Sequence, residues 1–276
     1  LIEFQGGAEA NLSASFVESK IHPTAIVHPE ARLDPGVEVG PFCTVGAHVR
    51  IGRGTRLISH VVVDGWTELG EENVVFPFAV IGAVPQDLKY RGEPTRVVIG
   101  NRNRIRESVT INLGTVQGGG VTSVGNDCLL MSTVHLGHDC RIADHVILAT
   151  SVGLAGHVTV DDYAILGGMT GVAQFVRIGA HAYIGGQSGI EKDVPPFAIA
   201  VGSRPCNLKG ANIVGLRRRG LSAETIMKIN EAIKLWVRPD VQKEQCLIEL
   251  DAQFGEVPEI QQFLQFIRKS ESGVVR

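Results

Sequence analysis

Much of what usually advertises a function is missing from this chain of 276 residues. Its charges nearly cancel, with 26 lysines and arginines against 29 aspartates and glutamates, for a formal net charge of −3. That mild acidity argues against a nucleic-acid protein, which needs a broad basic face. The local cluster Arg217, Arg218 and Arg219 reads equally as a place to meet an acidic partner and as a solvated helix end. No hydrophobic run reaches the roughly 20 residues of a membrane-spanning helix, so no stable membrane insertion is expected. Cysteine is sparse: Cys43, Cys128, Cys140, Cys206 and Cys246 make an odd count with no paired short spacing. Neither a disulfide framework nor a zinc knuckle is indicated. Small buried apolar roles in a reducing compartment suit most of the five.

What the chain has instead is a period of six. Every sixth residue from Ile21 to Ile81 is aliphatic, the pattern resumes in phase at Ile99, Ile105 and Ile111, shifts once, and runs unbroken from Val124 to Ile190. The period is neither helical nor simply alternating. It reads as a parallel β-helix, each hexapeptide supplying one short strand and a turn, with three hexapeptides to a triangular coil. Residues eighteen apart then stack vertically, and stability accumulates from coil to coil. Two loops interrupt the prism. The first, AVPQDLKYRGEPTRVV, brings the chain back in phase at Ile99, one coil of sequence later; the second is NLGTVQGGGVTS. Long loops in compact folds are often functional.

After Pro195 and Pro196 the hexad stops. Ser222 reads as the cap of a helix carrying Ile226, Ile229, Ile233 and Trp236, ended by Pro239. A second helical run with Leu247, Leu250 and Phe254 stops at Gly255, and Pro258 opens a third. The expected fold is mainly β, with a hexapeptide-repeat β-helix over 21–200 and a C-terminal helical domain over 201–276 that caps the prism. Residues 1–20 show no hexad and read as an N-terminal extension, a processed end or an artificial boundary.

The candidate chemistry clusters in HLGHDC, His135 to Cys140. Leu136 points inward, so His138 stands beyond the corner at Gly137, and one coil further lies Gly156. A histidine base beside a free backbone N–H is the pairing that proton abstraction and oxyanion stabilisation require. On spacing alone a solvated corner histidine is the blander reading. His135, His138 and His157 are conceivable metal ligands, but His135 and His138 flank Leu136 on opposite sides of a corner, so metal is not expected. Cys140 follows Asp139, whose charge opposes thiolate formation.

The strings QDLKYRGEPTRVVIGNRNRIRESVTI, GTVQGGG, LLMSTVHLGHDC, LAGHVTVDDYAILGGMTGV and GLRRRG together resemble the UDP-N-acetylglucosamine acyltransferases, from about Ile21 to Arg276. The resemblance implies a left-handed β-helix, a homotrimer with its sites between neighbouring prisms, and no cofactor. It implies transfer of a 3-hydroxyacyl group from acyl carrier protein to the 3-hydroxyl of UDP-N-acetylglucosamine, the first step of lipid A synthesis. It assigns His138 as general base, Asp139 as its support and the Gly156 N–H as oxyanion donor. By the same likeness Asp87, Lys89, His135, His157, Gln174, Asn212, Arg218 and Arg219 bind substrate, the arginines suiting a pyrophosphate. Gly185 or Gly186 stands at the position that limits acyl length, and glycine there favours about fourteen carbons over ten.

Two departures stand out. Where bacterial members usually read IHRGT and AVHQF, this chain reads INLGT and GVAQF, placing Asn112, Leu113 and Ala173 at or beside lost histidines. They leave the base, the oxyanion glycine and the arginines in place. With the unusual N-terminus they suggest a plant mitochondrial member, the other expectation being the bacterial cytoplasm. Two other functions fit the scaffold: a zinc-dependent hydratase, and a non-catalytic binder of acyl carrier protein.

Overall fold

The computed structural model describes residues 18–276, so all but the last three residues of the extension expected over 1–20 lie outside the described residues. Most hexapeptides form a strand of two residues, as at Thr44–Val45, Arg50–Ile51 and Arg56–Leu57, whose second residue is buried and first exposed. Strand alternation demands this once one side of each strand faces a filled interior. The strands stack into three faces of a prism. The first runs from Lys20–Ile21 to the strands after Tyr183–Ile184, the second from Ile26–Val27 to Gly189–Ile190, and the third from Arg32–Leu33 to Arg177–Ile178. Pairing within the coils is parallel, with Ile21 against Val39 and Leu136 against Leu154. Ile105, Leu130, Leu148, Leu166 and Ile184 line the interior with no exposed surface. Each such side chain contributes roughly 1.5–3 kcal/mol of burial.

The turn that joins one face to the next repeats a single shape. Two residues past the inward aliphatic the chain turns, and the third residue takes a positive φ, 61° at Asp139, 64° at His157 and 65° at Phe175. A left-handed conformation costs a non-glycine residue about 1–2 kcal/mol. It is offset because the N–H of that residue reaches the coil below: His157 donates to the His138 carbonyl at 2.9 Å and Phe175 to the Gly156 carbonyl at 3.2 Å.

The loops enter differently from the expectation. Ile81 and Ile99 are eighteen residues apart but lie on consecutive faces, and Ile99 pairs with Leu69. The sequence interval that mimics one coil is therefore one hexapeptide plus a twelve-residue excursion. Stacked partners across it stand 30 apart, as Asn73 and Asn103 do. The second loop leaves the same corner, between the second and third faces, and makes the offset 25, as for Thr110 and His135.

Beyond the coils lies an antiparallel hairpin, Ala198–Val201 with Asn207–Ala211, which the hexad pattern does not announce. Four helices follow: α1 Ile213–Arg218, α2 Ala223–Trp236, α3 Lys243–Phe254 and α4 Pro258–Arg268. The Ser222 side chain accepts the Thr225 N–H and caps α2 as its sequence requires. Trp236 is fully buried and donates to the Val275 carbonyl at 3.0 Å. Arg177 of the third face joins the helices to the prism, donating to the Phe266 carbonyl at 2.7 Å with its guanidinium over the Phe266 ring. No helix among the described residues is long and apolar enough to cross a membrane.

Candidate active site

The corner between the second and third faces, where both loops emerge, gathers the chemistry. Leu136 anchors the turn from inside, which turns His138 outward at 8% exposure while Asp139 folds back at 3%. The His138 Nδ1 donates to Asp139 Oδ2 at 2.8 Å. Asp139 accepts two further hydrogen bonds from Thr115, from its N–H to Oδ1 at 2.8 Å and from its hydroxyl to Oδ2 at 2.6 Å. With Nδ1 protonated for this bond, Nε2 carries the lone pair.

Gly156 sits directly over that imidazole. A methyl at Gly156 would lie 2.5 Å from Cε1 and 2.6 Å from Nε2 of His138. Its N–H donates no hydrogen bond among the described residues. The turn produces this freedom, since the same position at His138 also lacks a backbone partner. What singles out Gly156 is that nothing but backbone faces the ring.

His157, next along, stacks on Phe175 at 4.4 Å and meets His138 edge-on at 4.9 Å. Burial pushes its pKa below the ordinary histidine value, partly opposed by the Asp139 charge. The charge of Asp87 in the first loop acts on His157 in the same direction as Asp139; Lys89 is exposed and donates its N–H to Asp87 Oδ1. His135 stands on the second face, its Nδ1 2.8 Å from Thr110 Oγ1, and burial lowers its pKa also. It heads a trough of about 530 Å³ floored by Gly153, Gly171 and Gly189 and edged by Ala173 and Arg204. Gln174 is exposed on the turn one coil beyond Gly156.

Other expected site residues lie elsewhere on the chain. Asn212 caps α1, accepting the Gly215 N–H and donating to the His181 carbonyl at 3.0 Å. Arg219 lies over the Tyr163 ring at 4.4 Å, and with burial it holds the His181 pKa down; Arg218 is exposed beside it. Tyr163 and His181 belong to the corner between the third and first faces, not the corner of His138. Gly185 and Gly186 lie at the remaining corner, where added methyls would meet Val201 at 2.9 Å and the Gly168 carbonyl at 3.1 Å. Of the departures, Asn112 and Leu113 are buried, Asn112 with no partner for Oδ1, and only Ala173 reaches the trough. Burial pushes the Cys128 and Cys140 thiols up to about 12, which removes both as nucleophiles.

Three groups that spacing does not single out complete the corner: Thr115, Thr122 and Phe175. Thr122 Oγ1 accepts the Asp139 N–H at 2.8 Å, filling the place that a lower coil's carbonyl fills for His157.

Comparison with known proteins bears on the whole chain. Residues 193–275 match the family model described as UDP N-acetylglucosamine O-acyltransferase, domain 2. The LpxA of Acinetobacter baumannii is 44% identical, with 93% of this chain and 99% of that one covered at a TM-score of 0.89. The chain belongs to the UDP-N-acetylglucosamine acyltransferase family. The Francisella novicida UDP-N-acetylglucosamine acyltransferase is similar at 40% identity, TM-score 0.90, over 93% and 94% of the two chains. The Arabidopsis UDP-N-acetylglucosamine acyltransferase follows at 34%, TM-score 0.81, over 93% and 100%. With the family comes the left-handed β-helix, which fits the three parallel faces and the helices that follow them.

Proposed function

We propose that this acyltransferase moves a 3-hydroxyacyl group from acyl carrier protein to the glucosamine 3-hydroxyl of UDP-N-acetylglucosamine, the first step of lipid A synthesis. One observation carries the chemistry: a buried imidazole with Nδ1 held by Asp139 faces the side-chain-free backbone of Gly156. His138 Nε2 takes the hydroxyl proton as the sugar oxygen attacks the thioester carbonyl. The Gly156 N–H donates to the oxygen that becomes negative in the tetrahedral intermediate. Collapse breaks the carbon–sulfur bond, and the imidazolium returns its proton to the departing thiolate. Asp139 holds the productive tautomer and offsets the imidazolium charge.

Asp87 and Lys89 would contact the sugar nucleotide and acyl chain at this corner, His135 and His157 would line the cleft, and Gln174 would reach the uridine diphosphate, as would Asn212, Arg218 and Arg219. The latter three lie at another corner of the prism, so one site needs two copies of the chain, which supports the homotrimer. The acyl chain would then run between copies toward Gly185 and Gly186, with room for about fourteen carbons. Identities of 44% and 40% to the Acinetobacter baumannii and Francisella novicida relatives, against 34% to the Arabidopsis one, favour the bacterial cytoplasm over the mitochondrion.

Zinc hydration is less well supported. His138, Asp139 and His157 have ligand atoms within 4.8 Å of one another, but both Asp139 oxygens are taken by Thr115 and His138. Two imidazoles fall short of the usual three protein ligands.

The deciding experiment is acyl transfer from 3-hydroxyacyl carrier proteins of ten to sixteen carbons to UDP-N-acetylglucosamine, with wild type beside His138→Ala. Turnover by wild type and a loss of about 10²-fold or more in the variant is expected. Retained binding of acyl carrier protein with no transfer would favour the scaffold, and stoichiometric zinc the hydratase.

A further inference from the structure

The second loop does more than bridge two faces, because its first residue after Gly114 grips the carboxylate behind the base. We infer that Thr115 is a positioning residue for acyl transfer, the outer member of a Thr115–Asp139–His138 chain that aims the imidazole. The inference rests on His138 acting as the base.

The direction of each hydrogen bond is set by the groups around it. Thr115 Oγ1 accepts the Gly118 N–H at 3.2 Å, which uses a lone pair and leaves the hydroxyl proton for Asp139 Oδ2. The Thr115 N–H occupies Oδ1. Oδ2 therefore keeps one direction for a further donor, and His138 Nδ1 fills it. His157 Nδ1, at 3.8 Å from the same oxygen, is too far to compete. Thr115 is 1% exposed, so no water substitutes for its hydroxyl without rearrangement.

The loop is built to bring this residue close. Val116–Gly118 form one 3₁₀ turn capped by the Thr115 side chain, and Gly119 and Gly120 take φ of 91° and 78°, which glycine adopts without strain. Gly118 packs against the carboxylate so closely that a methyl there would fall 2.0 Å from Asp139 Cγ. The glycines of GTVQGGG thus let the backbone approach Asp139, and the threonine supplies the two donors.

A charged acceptor with one donor removed becomes a stronger acceptor for the remaining ones. Without the Thr115 hydroxyl the carboxylate gains freedom to rotate and holds the imidazolium more strongly. The titratable groups facing His138 are Asp139 and His157, with Asp87 acting on His157 from the first loop. Changing Thr115 leaves all three of these residues in the chain and acts on the imidazole through Asp139 alone.

The test compares Thr115→Val, Thr115→Ala and Thr115→Ser in the full chain, with 3-hydroxyacyl carrier protein and UDP-N-acetylglucosamine as substrates and His138→Ala as control. Valine and alanine should lower kcat about tenfold with KM within about twofold, and raise the acid limb of the kcat–pH profile. The downfield proton resonance of the imidazole Nδ1–H should shift in both. Serine should restore rate, profile and resonance, which a loss of packing alone would not do. Unchanged kcat and pH profile in the valine and alanine variants, or an equal loss in the serine variant, would overturn the inference. Activity surviving in His138→Ala would instead overturn the reading of the base.

Discussion

Two successive turns at one corner, Gly137-His138-Asp139 and Ala155-Gly156-His157, share a backbone shape and differ in what they put on it. In the lower turn the outward position carries the imidazole and the positive-φ position a carboxylate. In the upper turn the outward position carries nothing, and the positive-φ position carries a histidine. The outward position points away from the prism interior, so a side chain there acts on whatever lies against the corner, and its absence at Gly156 leaves bare backbone against the His138 ring. The positive-φ position turns a side chain back along the corner, toward the loop for Asp139 and onto Phe175 for His157. Role follows from place in the turn more than from residue type, which is why three histidines within one cluster are not interchangeable.

The comparison breaks most severely in the lower turn. Asp139→Asn keeps the shape but removes the charge that faces the imidazole, and kcat should fall by about a hundredfold or more with the solution mass unchanged, read by steady-state rates and light scattering. Gly156→Ala gives the upper turn the side chain it lacks, against the ring at 2.5 Å. It should lower kcat by about tenfold or more in steady-state rates, because the imidazole must shift to admit the methyl. Phe175→Ala removes the partner on which His157 lies; Phe175 is 58% exposed, so under about 1 kcal/mol should be lost from the denaturant unfolding free energy. The smallest effect is acid sensitivity. The His135 and His157 pKa values are depressed in the fold, mainly by burial, from the ordinary 6.5. Below 6.5 the unfolded chain binds more protons than the folded one, so stability present at neutral pH declines as pH falls through the depressed values. His157→Phe should flatten that decline in denaturant midpoints measured between pH 7 and about 5; an unchanged slope would assign the sensitivity elsewhere.

Legibility in the sequence follows the period. From Val124 to Ile190 the eighteen-residue stacking is unbroken, so spacing alone sets Gly156 over His138, and the three faces follow from the hexad. Thr115 and Thr110 escape because the second loop changes the offset to 24 or 25, a number no periodicity supplies. The first loop disguises itself by inserting twelve residues, a multiple of six, which keeps phase while skipping no face. Asn212, Arg218 and Arg219 cap and close a six-residue helix that follows the hairpin and is too short to show a helical pattern, so nothing local says which corner they join.

That disguise has a consequence for the folding chain, which could slide one coil past the next wherever inserted residues conceal the right partner. Where the chain enters the first face, in the coils that the two loops interrupt, two buried asparagines stand at a position that later coils fill with Val146 and Ala164: Asn73 donates to the Gly100 carbonyl and accepts the Asn103 N–H, and Asn103 donates to the Gly125 carbonyl and accepts the Cys128 N–H. A slip of one hexapeptide would strand both amides in hydrocarbon without partners, at a cost of about 1–3 kcal/mol for each unmet group. The asparagines act as the teeth of a ratchet, engaging only when the chain has thrown out each loop at its proper length.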